Sequence, residues 1–206
     1  MCIKDCAMSE NKEIKKAALI SEITRREIES LPVAYAYATD CLGHAVETMG
    51  DQSLESTFNM DNSFFAEGLS LYRKIFSKEF SFELVVEGRQ IEVVPDPKNL
   101  KETEDAVLVW TNYVNNAFRK GLYKSTQHHI GSINSSIEGN NNAIVQSYLI
   151  ATHVYSEVAP DTGVSMTWGT YTDEVILEEE SWVIKNRRLD VISTNPISAV
   201  AKLAVE

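Results

Sequence analysis

The sequence predicts an α+β fold in which helices pack on one face of an antiparallel sheet. Apolar residues recur at three- and four-residue steps in the first 120 positions, the spacing of helices that bury one side. From Ser125 to Ser193 the pattern changes to long strand-like runs separated by turn residues. No repeat, low-complexity tract or linker divides the 206 residues, a length suited to one domain of roughly 100–200 residues. Helices first and a meander of strands afterwards is the signature of segregated layers.

Residues 1–12 are polar and are expected to be disordered, with the domain occupying 13–195. From Glu13 to Met49, Ile20, Ile23, Ile28, Leu31, Tyr35, Ala38 and Leu42 mark one helical face. Pro32 predicts a kink, because it removes a backbone donor and crowds the preceding turn. Gly50 to Ser63 reads as polar turns, followed by a helix from Phe64 to Phe76 carrying Phe65, Leu69 and Tyr72. Phe80–Val86 alternates as a strand, Gly88 turns it, and Gln90–Val94 continues until Pro95-Asp96-Pro97. Thr103–Lys120 predicts a third helix with Val107, Trp110, Val114 and Phe118 inward and Gly121 as its stop. Four strands follow at about Ser125–Glu138, Asn142–Val158, Ser165–Glu178 and Trp182–Ser193, the first hairpin turning at Gly139-Asn140-Asn141. After Pro196, the spacing of Ile197, Val200 and Leu203 predicts a short terminal helix.

A formal charge of −11 argues against nucleic acid and anionic membranes, since the basic pairs Lys15-Lys16, Arg25-Arg26 and Arg187-Arg188 are too short to hold phosphates. No run reaches the ~18 consecutive apolar residues of a membrane span. The N-terminus lacks the apolar core of an export signal, and Cys2, Cys6 and Cys41 make no disulfide framework, so a reducing cytoplasm is expected. Neither phosphate-binding glycine motifs nor a Gly-x-Ser-x-Gly elbow is present, and no spacing of ligands supports a metal.

The chemistry concentrates around Thr126-Gln127-His128-His129-Ile130-Gly131. By strand alternation His128 and His129 point to opposite faces. His153 lies on the next strand, and Asp40 near the end of the first helix offers a carboxylate. An aspartate bonded to one imidazole nitrogen fixes the tautomer and stabilises the imidazolium, leaving the other nitrogen as a base. A second reading stays open: Asp40 as a solvated helix residue and the histidines as packed strand residues.

The ordered set of Tyr35 and Asp40, Thr126–Gly131, Gly169-Thr170-Tyr171-Thr172-Asp173 and Trp182-Val183-Ile184-Lys185-Asn186-Arg187 resembles the SnoaL-like branch of the nuclear-transport-factor-2-like superfamily. That branch includes polyketide cyclases and scytalone dehydratase, and the Thr-Gln-His run before Ile-Gly is similar to the latter. The resemblance covers about Glu27 to Ser193 and implies a cone-shaped curved sheet wrapped on helices around a deep apolar pocket. It implies Asp40, His128 and His153 as the catalytic set, with Tyr35 and Arg187 in the pocket; Tyr155 and Trp168 are further candidates for contact with substrate. Scytalone dehydratase has a pocket tyrosine just before the acid, where this chain has Thr39. The implied activity is a cofactor-independent lyase or isomerase of secondary metabolism, a dehydratase or cyclase acting on a small apolar cyclic substrate. A homodimer joined sheet to sheet and a lid formed by 196–206 are implied too. The alternative within the same fold is a non-catalytic small-molecule-binding or oligomerisation module.

Overall fold

The computed structural model describes residues 3–49, 63–157, 159 and 163–198, with backbone alone at 3–18, 47–49 and 195–198. Helices α1 (Ile3–Met49) and α2 (Ser63–Ile75) precede the hairpin of β1 (Phe76–Val86) and β2 (Arg89–Val94). Helix α3 (Ala106–Lys120) leads into β3 (Tyr123–Glu138), β4 (Asn142–Tyr155), β5 (Gly163–Glu178) and β6 (Ser181–Ser198). The turns expected within 50–62 lie outside the described residues, as does the segment 199–206.

Helix α1 starts at Ile3 and continues through Pro32. One expectation at the C-terminal end is corrected. Residues 196–198 begin no helix; they extend β6, with Ser165 opposite Pro196 and Gly163 opposite Ser198. The ladder between β1 and β6 ends at Val86 and Val191. Beyond it β6 is bonded on one side only, where a proline without an N–H is tolerated.

The six strands form one curved, unclosed sheet in the order β2-β1-β6-β5-β4-β3. All neighbours are antiparallel except β1 and β6, which run parallel. The expected antiparallel meander holds from β3 to β6, and β1 joins it in parallel, a pairing that strand periodicity does not reveal. Bulges at Gly131/Asn134 in β3, and at Trp168/Gly169 and Glu174/Val175 between β5 and β6, add local twist and bend the long strands.

The helices cover the concave face. Ile28, Leu31, Tyr35, Ala38 and Leu42 of α1 join Phe65, Leu69 and Tyr72 of α2 and Val107, Trp110, Val114 and Phe118 of α3 in one core with the sheet. Full burial of each large apolar side chain contributes about 1.5–3 kcal/mol. Asp105 caps α3 by accepting the Leu108 N–H at 3.0 Å, and also accepts from Arg73 of α2 at 2.8 Å. Gly121 ends α3 as expected, but for reasons of space: its φ is −72°, and a Cβ there would collide with the Tyr123 ring. Leu122 takes the positive φ instead.

Candidate active site

Helix α1 sets the site because it runs along β3 in direct contact. At Gly43 a Cβ would strike the Thr126 methyl, so glycine permits the close approach of helix and strand. One turn earlier, Asp40 reaches across to β3. Its Oδ1 lies 2.7 Å from His128 Nδ1, and its Oδ2 accepts the His128 backbone N–H at 3.1 Å. The carboxylate thus holds both the ring and the strand that carries it. The His128 side chain is 6% exposed and that of Asp40 20%, so the pair is largely withdrawn from water.

His153 stands opposite Thr126 in the β3–β4 ladder, and its Nδ1 lies 2.7 Å from Thr126 Oγ1. Its ring stacks on Tyr123 at 4.6 Å and meets the His128 ring edge-on at 5.8 Å. Burial, reinforced by the neighbouring His128, lowers the His153 pKa to about 4. His153 is therefore neutral at pH 7.

Both histidines border a cavity of about 170 Å³. Its walls are mostly apolar, among them Phe82, Trp110, Phe118, Leu149 and Leu189, with Tyr35, Thr39 and Tyr171 as polar members. Behind this wall lies a buried layer. Arg187 pairs bidentately with Asp173 at 2.6 Å through Nε and Nη2, and its guanidinium sits 3.9 Å from the Tyr35 ring centre and 4.3 Å from that of Tyr171. Burial pulls the Arg187 pKa down, but the Asp173 carboxylate more than reverses this and keeps the arginine charged. Burial raises the Tyr35, Tyr72 and Tyr171 phenols, which stay protonated. Thr39 Oγ1 donates to the Tyr35 carbonyl at 2.8 Å and lies 2.7 Å from the Tyr72 hydroxyl.

The structure brings His128, His153 and Tyr35 together on the cavity wall, with Asp40 bonded to His128 from outside that wall. The remaining expected substrate contacts fall elsewhere. Arg187 sits beneath Tyr35 and Tyr171 and is absent from the cavity wall. Trp168 points the other way: Ala151 and Thr167 are ladder partners that line the cavity, so the adjacent pair Ile150 and Trp168 occupies the outer face. Tyr155 lies beyond His153, with its ring 5.1 Å from Tyr123, and is likewise outside the wall. Sequence reasoning missed Thr126 and Tyr171 as site residues, although both stand inside motifs that carried the resemblance. Tyr123 and Phe118 gave no signal, because aromatic residues at strand and helix positions read as ordinary core.

An imidazole with one nitrogen engaged by a carboxylate, carried on the wall of an apolar cavity, is suited to taking a proton from carbon. Protonated phenols can steady a developing oxyanion. Among the described residues no group of three His, Cys, Asp or Glu side chains converges as metal ligands. No helix among them is long and apolar enough to cross a membrane.

Comparison with known proteins agrees with the fold. Residues 98–188 match the family model of the SnoaL-like domain. No curated protein matches the sequence. A candidate scytalone dehydratase from Novosphingobium aromaticivorans superposes with a TM-score of 0.54 at 16% identity, over 85% of this chain and 89% of that one. Hexachlorocyclohexane dehydrochlorinase LinA-type3 from Novosphingobium barchaimii gives 0.58 at 12% identity, over 89% and 96%. The β subunit of a candidate aromatic-ring-hydroxylating dioxygenase from Novosphingobium aromaticivorans gives 0.53 at 12%, over 84% and 92%. At these identities the likeness is one of fold. Residues 98–188 are thus similar to the SnoaL-like domain, and the chain shares the curved α+β fold of these solved structures.

Proposed function

We propose that the protein is a cofactor-independent lyase or isomerase, of the dehydratase or cyclase type, that removes a proton from a carbon next to a carbonyl. The carrying observation is the 2.7 Å contact between Asp40 and His128 Nδ1 at the edge of an apolar cavity. Asp40 holds the Nδ1–H tautomer and steadies the imidazolium, while His128 Nε2 is the base. Tyr35 and Tyr171 donate hydrogen bonds to the enolate oxygen that forms. His153 is neutral at pH 7 and so serves as a hydrogen-bond donor to substrate oxygen; it is not the source of a transferred proton.

The cavity of about 170 Å³ suits a single small ring; an engineered apolar cavity of ~150 Å³ accepts benzene. An open cavity beside the dyad favours an enzyme over a module whose interior is filled by side chains. The outer sheet face, with Tyr148, Ile150 and Ile192 exposed, supports a homodimer formed sheet to sheet. Three cysteines, an odd count, and the acidic charge suit a reducing cytoplasm.

Proton abstraction is testable without knowing the natural substrate. Cyclohexanone, one ring with exchangeable α-hydrogens, is incubated with the protein in D2O and followed by NMR. The wild type is expected to accelerate α-hydrogen exchange, and Asp40→Asn and His128→Gln to lose about 10²–10⁴ of that acceleration. Variants that exchange as fast as the wild type would remove the dyad from the mechanism.

A further inference from the structure

The cavity borders two histidines, and each has its Nδ1 engaged by a different kind of partner. Asp40 is a carboxylate and can only accept, so His128 Nδ1 carries the proton and its Nε2 is left as an acceptor. Thr126 is a hydroxyl, able to donate or accept. It is buried, and His153 Nδ1 is the one hydrogen-bond partner of its Oγ1 among the described residues. If His153 donated to it, the hydroxyl hydrogen would be left without an acceptor, which is costly for a buried group. Both groups are satisfied only when Thr126 donates to Nδ1, which puts the His153 proton on Nε2.

We infer that Thr126 is a positioning residue that holds His153 as the Nε2–H tautomer, so that the cavity is offered one imidazole acceptor, from His128, and one imidazole donor, from His153. This rests on the proposed proton abstraction for its purpose, but not for its physics. A substrate with an acidic C–H and an oxygen a few ångströms away would meet the acceptor with the first and the donor with the second. The low pKa of His153 supports the assignment, since a neutral ring has one N–H and its tautomer therefore matters.

Helix α1 governs both choices. Asp40 acts on His128 directly, and Gly43, one turn later, gives Thr126 the room to stand beside His153. A methyl at position 43 would displace Thr126 from the helix side, which makes Gly43→Ala a second and independent perturbation of the same hydrogen bond.

The tautomers are read from long-range nitrogen–proton NMR spectra of protein labelled with ¹⁵N-histidine at pH 7, the four histidines being assigned by single substitution. Wild type is expected to show His128 protonated at Nδ1 and His153 at Nε2. Thr126→Val, which keeps the shape, is expected to lower the His153 Nε2–H to Nδ1–H ratio about fivefold to tenfold, the weight of one hydrogen bond. Thr126→Ser should restore it, and Gly43→Ala should shift it in the direction of the valine variant. A wild-type His153 protonated at Nδ1 would overturn the assignment without any variant having to fold. So would a valine variant with an unchanged ratio, or a serine variant that matches valine. No substrate enters this measurement, so a failed exchange assay bears on the function alone.

Discussion

At the residue scale, the site is a set of polar side chains each secured by one partner from another element. Asp40 secures His128, Thr126 secures His153, Thr39 bonds Tyr72, and Asp173 secures Arg187. The last pair is fully buried, and such a pair stabilises little against an apolar replacement while costing several kcal/mol if one partner is removed. Together the two make a neutral ion pair, and the Arg187 guanidinium packs against the rings of Tyr35 and Tyr171. His153 makes a prediction about stability. Its pKa is about 4 when folded against 6.5 ordinarily. Between these values the unfolded chain binds a proton that the folded chain does not, so stability rises with pH. The contribution is complete above about pH 6.5, declines as pH falls, and is gone below pH 4, with an upper size of about 3 kcal/mol. His153→Phe keeps the ring contact with Tyr123 and removes the titration. Urea unfolding at pH 7 and pH 4.5 should show the variant losing less stability on acidification than the wild type; equal losses would contradict a buried neutral His153. The sequence drew attention to Asp40, His128 and His153 through the chemistry of their side chains and the alternation of β3, whereas the contacts that join them depend on the tertiary fold. Arg187 and Trp168 were expected at the substrate and neither lines the cavity; neither residue type reveals whether it lies on, behind or opposite a cavity wall.

At the element scale, the helices and strands follow from periodicity, and the departures are instructive. The four long strands and α3 appear within a few residues of their expected ends, since turns such as Gly139-Asn140-Asn141 punctuate them. Gly139 does take a positive φ of 71°. Beta-strand β1 begins four residues early, at Phe76, where helix α2 passes directly into strand with no turn residue to mark the change. Its parallel pairing with β6 was not legible, because pairing depends on which edge the tertiary fold leaves open. The α2–α3 contact rests on Asp105, whose carboxylate serves both the Leu108 N–H and Arg73. Asp105→Ala is expected to cost about 1 kcal/mol through loss of the cap, and Asp105→Asn less, because the amide oxygen can still accept from the helix. Chemical denaturation of the three proteins checks the order. An alanine variant as stable as wild type would mean that α3, which supplies Trp110, Val114 and Phe118 to the cavity wall, is held by its apolar face alone.

At the scale of the whole molecule, the sheet has one face committed to the helices and cavity and another that carries apolar side chains outward. Ile150 and Trp168 are direct ladder partners on that outer face, Tyr148 precedes them on β4, and Ile192 projects where the β5–β6 register shifts. Tyr148 and Ile192 are 61% and 72% exposed. Single exposed apolar residues are ordinary, but side chains gathered on neighbouring strands form a patch of the kind that marks an interface. A two-fold axis over this patch would bury the same residues from both copies, since a symmetric dimer uses one self-complementary surface. Charge placed there should therefore be felt twice per interface. Ile150→Lys is expected to convert a dimer to monomer while leaving the cavity on the opposite face intact, because Ala151 and Leu149, not Ile150, form its wall. Sedimentation equilibrium at micromolar concentration gives the mass of each protein, and the cyclohexanone exchange assay reports the site. A wild type that sediments as a monomer, or a lysine variant that remains dimeric, would show that this face is not the contact. A monomeric variant that retains exchange would establish that one chain holds a complete site, consistent with the fact that Asp40, His128, Thr126 and His153 all belong to it.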